Sequence, residues 1–175
     1  LNCLGSYFAR VNYSWKGRYL LEGSLRIDGA SNFEPEHRWG YFPSVSAGWL
    51  ISEEKFMKKL SWLPYAKLRA SYGQTGNSNV GNRVNTYYSV GHGYVLGDLL
   101  STGVYTSELG NPAITWETTT EYNVGLDLGF FNNRLRVTAE YFNRTISDLL
   151  VTSKPIPSYN EVTTIAGNIG STQSK

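Results

Sequence analysis

Apolar and polar residues alternate along most of this chain with a period of two. From Tyr19 to Asp28 the odd positions carry Tyr19, Leu21, Gly23, Leu25 and Ile27, and the even ones Glu22, Ser24, Arg26 and Asp28. A pleated strand with two unlike faces has this period. The pattern recurs through Tyr7, Ala9, Val11, Tyr13 and Trp15, through Val45, Ala47, Trp49 and Ile51, and through Leu68, Ala70 and Tyr72. It returns in Tyr122, Val124, Leu126, Leu128 and Phe130, and begins again near Asn168. The alternation predicts an all-β fold: six antiparallel strands near residues 4–15, 19–28, 43–51, 66–75, 116–130 and 134–151, each paired with the next, and the start of a seventh.

Register can be read at two turns, because residues directly opposite each other share a face. Around Lys16-Gly17-Arg18, Trp15 must meet Tyr19, Tyr13 must meet Leu21 and Val11 must meet Gly23, which predicts a three-residue loop. Around Asn132-Asn133, suited to a type I′ turn, Phe130 meets Leu135, Leu128 meets Val137, Leu126 meets Ala139 and Val124 meets Tyr141.

The connections alternate in length: short at 16–18, long at 29–42, medium at 52–64, very long at 75–115, short at 131–134 and long at 152–167. In an up-and-down barrel, successive connections lie at opposite rims. Short turns on one rim and long loops on the other are the pattern of outer-membrane barrels. A short amphipathic helix is predicted over 53–63 on the short-turn, periplasmic rim. Ser52 would be its N-cap, Glu53 and Glu54 its acidic first turn, and Lys58 and Lys59 its basic end. Aromatic residues cluster at strand ends: Tyr13, Trp15, Tyr19 and Phe130 toward the short turns, and Trp39, Tyr41, Phe42, Tyr72 and Trp116 toward the long loops. A soluble sandwich, which also has one apolar face, has no reason to sort them so.

Composition narrows the choice. Hydrophobic residues make up 41% of the 175 and charged residues 17%, yet no apolar run approaches the roughly 18 residues of a spanning helix. The 14% aromatic content, 13 Tyr and 18 Gly suit a β-rich chain. A net charge of +2 offers no basic patch for nucleic acid. The lone Cys3 excludes an internal disulfide framework. A chain of this length would supply an incomplete barrel: a segment of a larger protein, treated as one unit over 1–175.

No catalytic constellation is present: His37 and His92 lie in different loops without neighbouring ligands at metal spacing, and the loop glycines do not open a helix as a phosphate cradle does. The reading is of a non-enzyme without catalytic, cofactor or metal residues. Polar-face Glu22, Arg26, Asp28, Glu121, Asp127, Arg136 and Glu140 face a wet interior. Among them Arg26, Asp28, Glu121 and Asp127 are candidates for contact with a solute. Tyr87, Tyr88, Tyr94 and Tyr105 in the longest loop are candidates for stacking on one, since a tyrosine ring offers an apolar face and a polar tip.

A set of blocks in order along the chain then points to a family: Arg26-Ile27-Asp28-Gly29-Ala30-Ser31-Asn32-Phe33, Arg38-Trp39-Gly40-Tyr41-Phe42-Pro43-Ser44, Gly48-Trp49, Ile51-Ser52-Glu53-Glu54, Leu68-Arg69-Ala70-Ser71-Tyr72-Gly73-Gln74-Thr75-Gly76-Asn77, Asn111-Pro112, Trp116-Glu117 and Asp127-Leu128-Gly129-Phe130-Phe131-Asn132-Asn133-Arg134-Leu135. Together they resemble the C-terminal barrel of SusC/RagA-type TonB-dependent transporters. Ala30 and Asn32 depart from the family pattern, which often has Ser and a basic residue there, and His37 stands where Asn is common. The resemblance implies a 22-stranded barrel in the outer membrane of a Gram-negative bacterium of Bacteroidota type, with plug and remaining strands outside this chain. It implies energy-coupled import of a glycan or peptide nutrient, the TonB complex and a SusD-like surface lipoprotein as partners, and contact with outer-membrane lipid. A passive porin-like channel and a soluble carbohydrate-binding β-sandwich are the alternatives.

Overall fold

The computed structural model describes residues 3–60, 62–81, 83–157 and 162–175. Among the described residues nine strands form: β1 (Leu4–Trp15), β2 (Tyr19–Ala30), β3 (Trp39–Leu50), β4 (Tyr65–Asn77), β5 (Tyr87–Leu96), β6 (Leu99–Glu108), β7 (Glu117–Phe130), β8 (Leu135–Pro155) and β9 (Thr164–Ser174). Seven make one unclosed antiparallel sheet in the order β1-β2-β3-β4-β7-β8-β9, and β5-β6 is a separate hairpin. All six predicted strands are present, each against its predicted neighbour, and the seventh is β9.

Both turn registers hold. Trp15 pairs with Tyr19 and Tyr13 with Leu21 across Lys16 and Gly17, whose φ values of 51° and 64° make the reversal. Phe130 pairs with Leu135 and Leu126 with Ala139. Asn132 and Asn133 both have positive φ (58° and 62°), and the Arg134 N–H donates to the Phe131 carbonyl at 3.3 Å. Two consecutive left-handed residues are what a type I′ turn requires, and asparagine tolerates that region better than most residues.

The helix predicted over 53–63 does not form. Two single 3-10 turns, Ile51–Glu53 and Met57–Lys59, stand in its place, and Ser52 lies inside the first turn instead of capping a helix. Ser61 lies outside the described residues, as do residues 158–161 of the β8–β9 loop. Both ends of the segment are tied elsewhere. The Leu50 N–H donates to the Arg18 carbonyl at 2.8 Å, and the Phe131 N–H to the Trp62 carbonyl at 3.2 Å. The Glu54 carboxylate turns back to accept from Arg18 (2.9 Å), the Tyr19 hydroxyl (2.8 Å) and the Trp49 indole (3.3 Å). A helix so short has little stability of its own to set against these ties.

Residues 75–115, read as one loop, contain the β5–β6 hairpin. Its strands carry side chains of similar character on both faces, and the register shifts at Tyr87/Tyr88 and at Val90/His92 break what alternation there is. Period-two reasoning therefore has nothing to detect.

At the loop end the sheet splits. The β3–β4 register stops at Ser44 opposite Gly73, although β3 begins at Trp39 and β4 runs on to Asn77. Phe42 fills the gap. A Cβ on Gly40 or Gly76 would lie 2.5 or 1.9 Å from the Phe42 ring, so both positions need glycine for close approach rather than for backbone conformation. Around Phe42 gather Ala30, Phe33, Val80, Val84, Ile114, Trp116 and Ala166, forming a buried cluster among the described residues. Trp116 joins Phe33 and Phe42 at centroid distances of 5.2 and 5.4 Å. Phe42 and Trp116, expected among the aromatics at the long-loop end of the strands, lie there and are buried in this cluster.

Two measurements test these contacts in the full-length protein. Gly76→Ala should cost about 1–3 kcal/mol by overpacking and Phe42→Ala about 3–5 kcal/mol. In the double variant the first cost should vanish, because the colliding ring is gone; strict additivity in unfolding experiments would show that the two do not touch. Glu54 gives a pH dependence. The Tyr19 hydroxyl bond foremost, then the Trp49 indole and Arg18, hold its carboxyl below the usual glutamate range, against an upward pull from partial burial. A depressed folded-state pKa contributes stability above the unfolded value and loses it as pH falls through the folded one. Glu54→Gln should therefore be less stable than the natural chain at neutral pH, with the gap closing on acidification below the carboxylate range; a gap independent of pH would exclude this role.

Candidate functional site

The main sheet presents two chemically distinct walls. On one, Leu21, Leu25, Val45, Val124 and Val137 are between 41% and 53% exposed. They share one face of the sheet, and a clustered, exposed apolar face of this kind marks an interaction surface. Aromatic side chains bound it: Tyr7 and Trp15 in β1, Tyr41 and Trp49 in β3, Tyr122 and Phe130 in β7. Each pair encloses about nine residues, the length a tilted strand needs to cross a bilayer. Toward the short turns, Trp15, Tyr19 and Trp49 form a ladder with centroids 5.5 and 6.3 Å apart, and Trp62 stacks on Phe130 at 5.9 Å.

Both boundaries shift together across the sheet. Trp49 lies opposite Leu68 and Leu68 opposite Leu126, so Phe130 lies four residues nearer the short turns than Trp49. At the other edge Val45 lies opposite Tyr72 and Tyr72 opposite Tyr122, four residues below Tyr41. The apolar band thus keeps its width while stepping obliquely, as it does when strands tilt in a barrel wall.

The opposite wall is polar, and its acids are paired. Arg69 reaches Asp127 at 3.2 Å and Glu140 at 3.1 Å. Glu140 also accepts from Asn123, and Asp127 from the Thr138 hydroxyl at 3.0 Å. Glu121 meets Arg144 at 2.7 Å, Asp28 meets Arg26 at 2.8 Å and Glu22 meets Arg10 at 3.6 Å. Among small side chains on this wall are two adjoining hollows that share Glu22, Ser46 and Ser71. One, of about 540 Å³, adds Lys67, Arg69 and Asn123; the other, of about 250 Å³, adds Ser44, Thr75 and Thr119.

The predicted contact residues therefore divide. Arg26, Asp28, Glu121 and Asp127 all lie on the polar wall, but each is engaged in an ion pair, and Asp28 is buried. Only Glu121 lines either of these hollows. Tyr87, Tyr88, Tyr94 and Tyr105 lie together on the β5–β6 hairpin, away from that wall; Tyr88 and Tyr94 are exposed, and Tyr105 packs on His92 at 4.3 Å. Lys67 and Arg69 were missed as candidates. Their signal was present in the alternation of β4, where Lys67, Arg69 and Ser71 oppose Leu68, Ala70 and Tyr72.

The hairpin is rooted by close backbone contacts. Gly110 approaches Val84 and Asn85 so tightly that a Cβ would lie 2.4 Å from the Val84 carbonyl oxygen, and its N–H donates to the Thr86 hydroxyl at 3.1 Å. Beside it, the Asn168 side-chain amide accepts from the Thr115 N–H and donates to the Thr115 carbonyl, both at 3.0 Å. Asn111 donates to the Ala166 carbonyl at 2.9 Å. These bonds fasten the segment before β7 to β9.

Comparison with known proteins places this architecture. The model of the TonB-dependent receptor-like β-barrel family matches residues 4–175. TonB-dependent receptor P39 of Formosa agariphila is 39% identical over 175 residues, covering 99% of this chain and 16% of its own length. TonB-dependent receptor SusC of Bacteroides thetaiotaomicron is 39% identical over 174 residues, 97% of this chain and 17% of its own. The chain thus spans about a sixth of the length of these curated relatives. Among solved structures, the RagAB peptide importer in the open-open state superposes with a TM-score of 0.86 at 32% identity, over 98% of this chain and 18% of that one. The sheet, its sorted faces and a family match that leaves out only the first three residues agree: this chain belongs to the TonB-dependent receptor-like β-barrel family.

Proposed function

We propose that this chain is part of the barrel wall and the extracellular loops of an outer-membrane transporter that imports a nutrient, a glycan or a peptide, by TonB-dependent energy coupling. The observation that carries the reading is the sorting of the sheet into an exposed apolar band with aromatic edges and an ion-paired polar wall behind it. Strands can cross a bilayer only if lipid and water are separated in this way and every backbone group is bonded to a neighbouring strand. Family membership supports the coupling, since the relatives are named TonB-dependent receptors. The two-part name of the RagAB importer supports a second component over the long-loop rim, and a SusD-like surface lipoprotein fits that place. The TonB complex would act through parts of the protein outside this chain. The host is a Gram-negative bacterium of Bacteroidota type, and the reading is transport without catalysis. Exposed Tyr88 and Tyr94 on the hairpin are proposed to meet the solute before the wall does.

Three outcomes follow. Nitroxide labels at Ala47 and Ser46 in the full-length protein should respond oppositely, position 47 to a lipid-soluble quencher and position 46 to an aqueous one; aqueous access at both would remove the membrane assignment. Leu126→Arg, near mid-band, should lower barrel stability by roughly 2–4 kcal/mol in bilayer or detergent unfolding. Uptake of the nutrient should stop in cells lacking TonB, whereas uptake that persists there would identify a passive channel.

A further inference from the structure

We propose that the larger hollow on the polar wall is a carboxylate-receiving site and that Lys67 is its cation. Lys67 stands directly across the β4–β7 ladder from Asp127, the position from which an acid would ordinarily neutralise it. Asp127 turns instead to Arg69 and Thr138. The Lys67 stem leans the other way, over β3, where its Cε lies 3.5 Å from the position a Gly48 Cβ would take. The ammonium thus borders a hollow of about 540 Å³ that it shares with Asn12, Ser14, Glu22, Gly48 and Asn123.

The charges of the wall leave this cation unmatched. Glu22, Asp28, Glu121, Asp127 and Glu140 each meet an arginine, while among the described residues no carboxylate lies within ion-pair distance of Lys67. Arg69, two residues along on the same face, already serves two acids. The hollow therefore offers an ammonium without an acidic partner beside neutral amide and hydroxyl groups, and the complementary ligand carries a carboxylate flanked by hydrogen-bonding groups. Glu22 lies on the rim toward Arg10 and disfavours a bare anion there, which further favours a ligand with neutral polar groups around its charge. Such a carboxylate has two sources: an acidic solute on the wall, such as an oligosaccharide of uronic acids, or an Asp or Glu from the rest of the polypeptide, of which this chain is about a sixth by comparison with its relatives. The inference rests on the transport reading only in placing this face on an aqueous path.

The test uses the full-length protein in detergent with its lysines 13C-dimethylated, the Lys67 resonance being assigned by its absence in Lys67→Arg. The probes are trigalacturonate and, as the neutral control, maltotriose. If a carboxylate of the protein occupies the site, the Lys67 resonance titrates above the ordinary lysine range without solute, and in a parallel sample of unmethylated protein carbodiimide joins the primary amine of Lys67 to a single Asp or Glu identified by mass spectrometry, the water lost being taken up by the carbodiimide as its urea. If a solute supplies it, the resonance titrates normally alone and shifts saturably with trigalacturonate but not with maltotriose. Lys67→Gln should then weaken trigalacturonate about tenfold, the loss of one charge-assisted hydrogen bond, and Lys67→Arg should largely restore it. A Lys67 that titrates normally, forms no cross-link and responds to neither or to both probes alike overturns the proposal. TonB-dependent uptake is scored separately, so a failed transport reading and an absent carboxylate site give different results.

Discussion

The structure depends on the antiparallel register that the main sheet keeps from β1 to β8. Side chains alternate between faces, so a slip of one residue between any two strands would carry a row of apolar side chains onto the polar wall and a row of charges onto the band. From β1 to β8 the rows stay aligned: Tyr13, Leu21, Ala47, Ala70, Val124 and Tyr141 follow one another across five pairings. The same ladder satisfies the backbone groups that a hydrocarbon surrounding would leave without partners. Register is thus the common cause of the apolar surface, the paired charges and the oblique aromatic edges.

Charges on the polar wall reinforce that register because most of their pairs reach across strands. Arg69 on β4 holds Asp127 on β7 and Glu140 on β8, so one guanidinium spans three strands. Arg144 on β8 holds Glu121 on β7, and Arg10 on β1 faces Glu22 on β2. Exposed pairs such as Arg10–Glu22 contribute little stability singly. Their cross-strand placement matters more, since a slipped register would set like charges opposite each other. The same pairing leaves few wall charges for a solute, Lys67 and Arg136 among them, and of these two only Lys67 lines the larger hollow.

Toward the long loops the ladder gives way to side-chain packing. Pairing between β3 and β4 ends at Ser44 and Gly73, and the wall is closed by Phe42 against two glycines, with Trp116 and Phe33 packed beyond. Backbone ladders make a uniform wall; a buried aromatic core allows loops from distant parts of the chain to be gathered at one point. The β5–β6 hairpin stands on that base, held by Gly110, Asn111 and Asn168. The mouth therefore combines a fixed root with exposed tyrosines above it.

For the seven strands of the main sheet, existence, pairing partners, both tight-turn registers and the sorting of faces were legible in the amino-acid sequence, because each depends on a two-residue period that local order records directly; the β5–β6 hairpin, with shifted register and no such period, was not. Tyr19, Leu21 and Leu25 against Glu22, Ser24 and Arg26 state the two faces before any folding is considered. What depends on groups far apart in the chain was not legible. The predicted helix gave way to two single turns because Glu54 is drawn to Arg18 and Tyr19, more than thirty residues earlier. The place of Phe42 and Trp116 toward the long loops was legible, but their burial was not, because only the tertiary fold brings Gly40, Gly76 and Phe33 around them. The polar character of Arg26, Asp28, Glu121 and Asp127 followed from alternation, but their engagement in ion pairs did not. Which carboxylate a given arginine takes depends on its position across neighbouring strands, and at Lys67 that choice, made by Asp127 in favour of Arg69, leaves an ammonium over an open hollow.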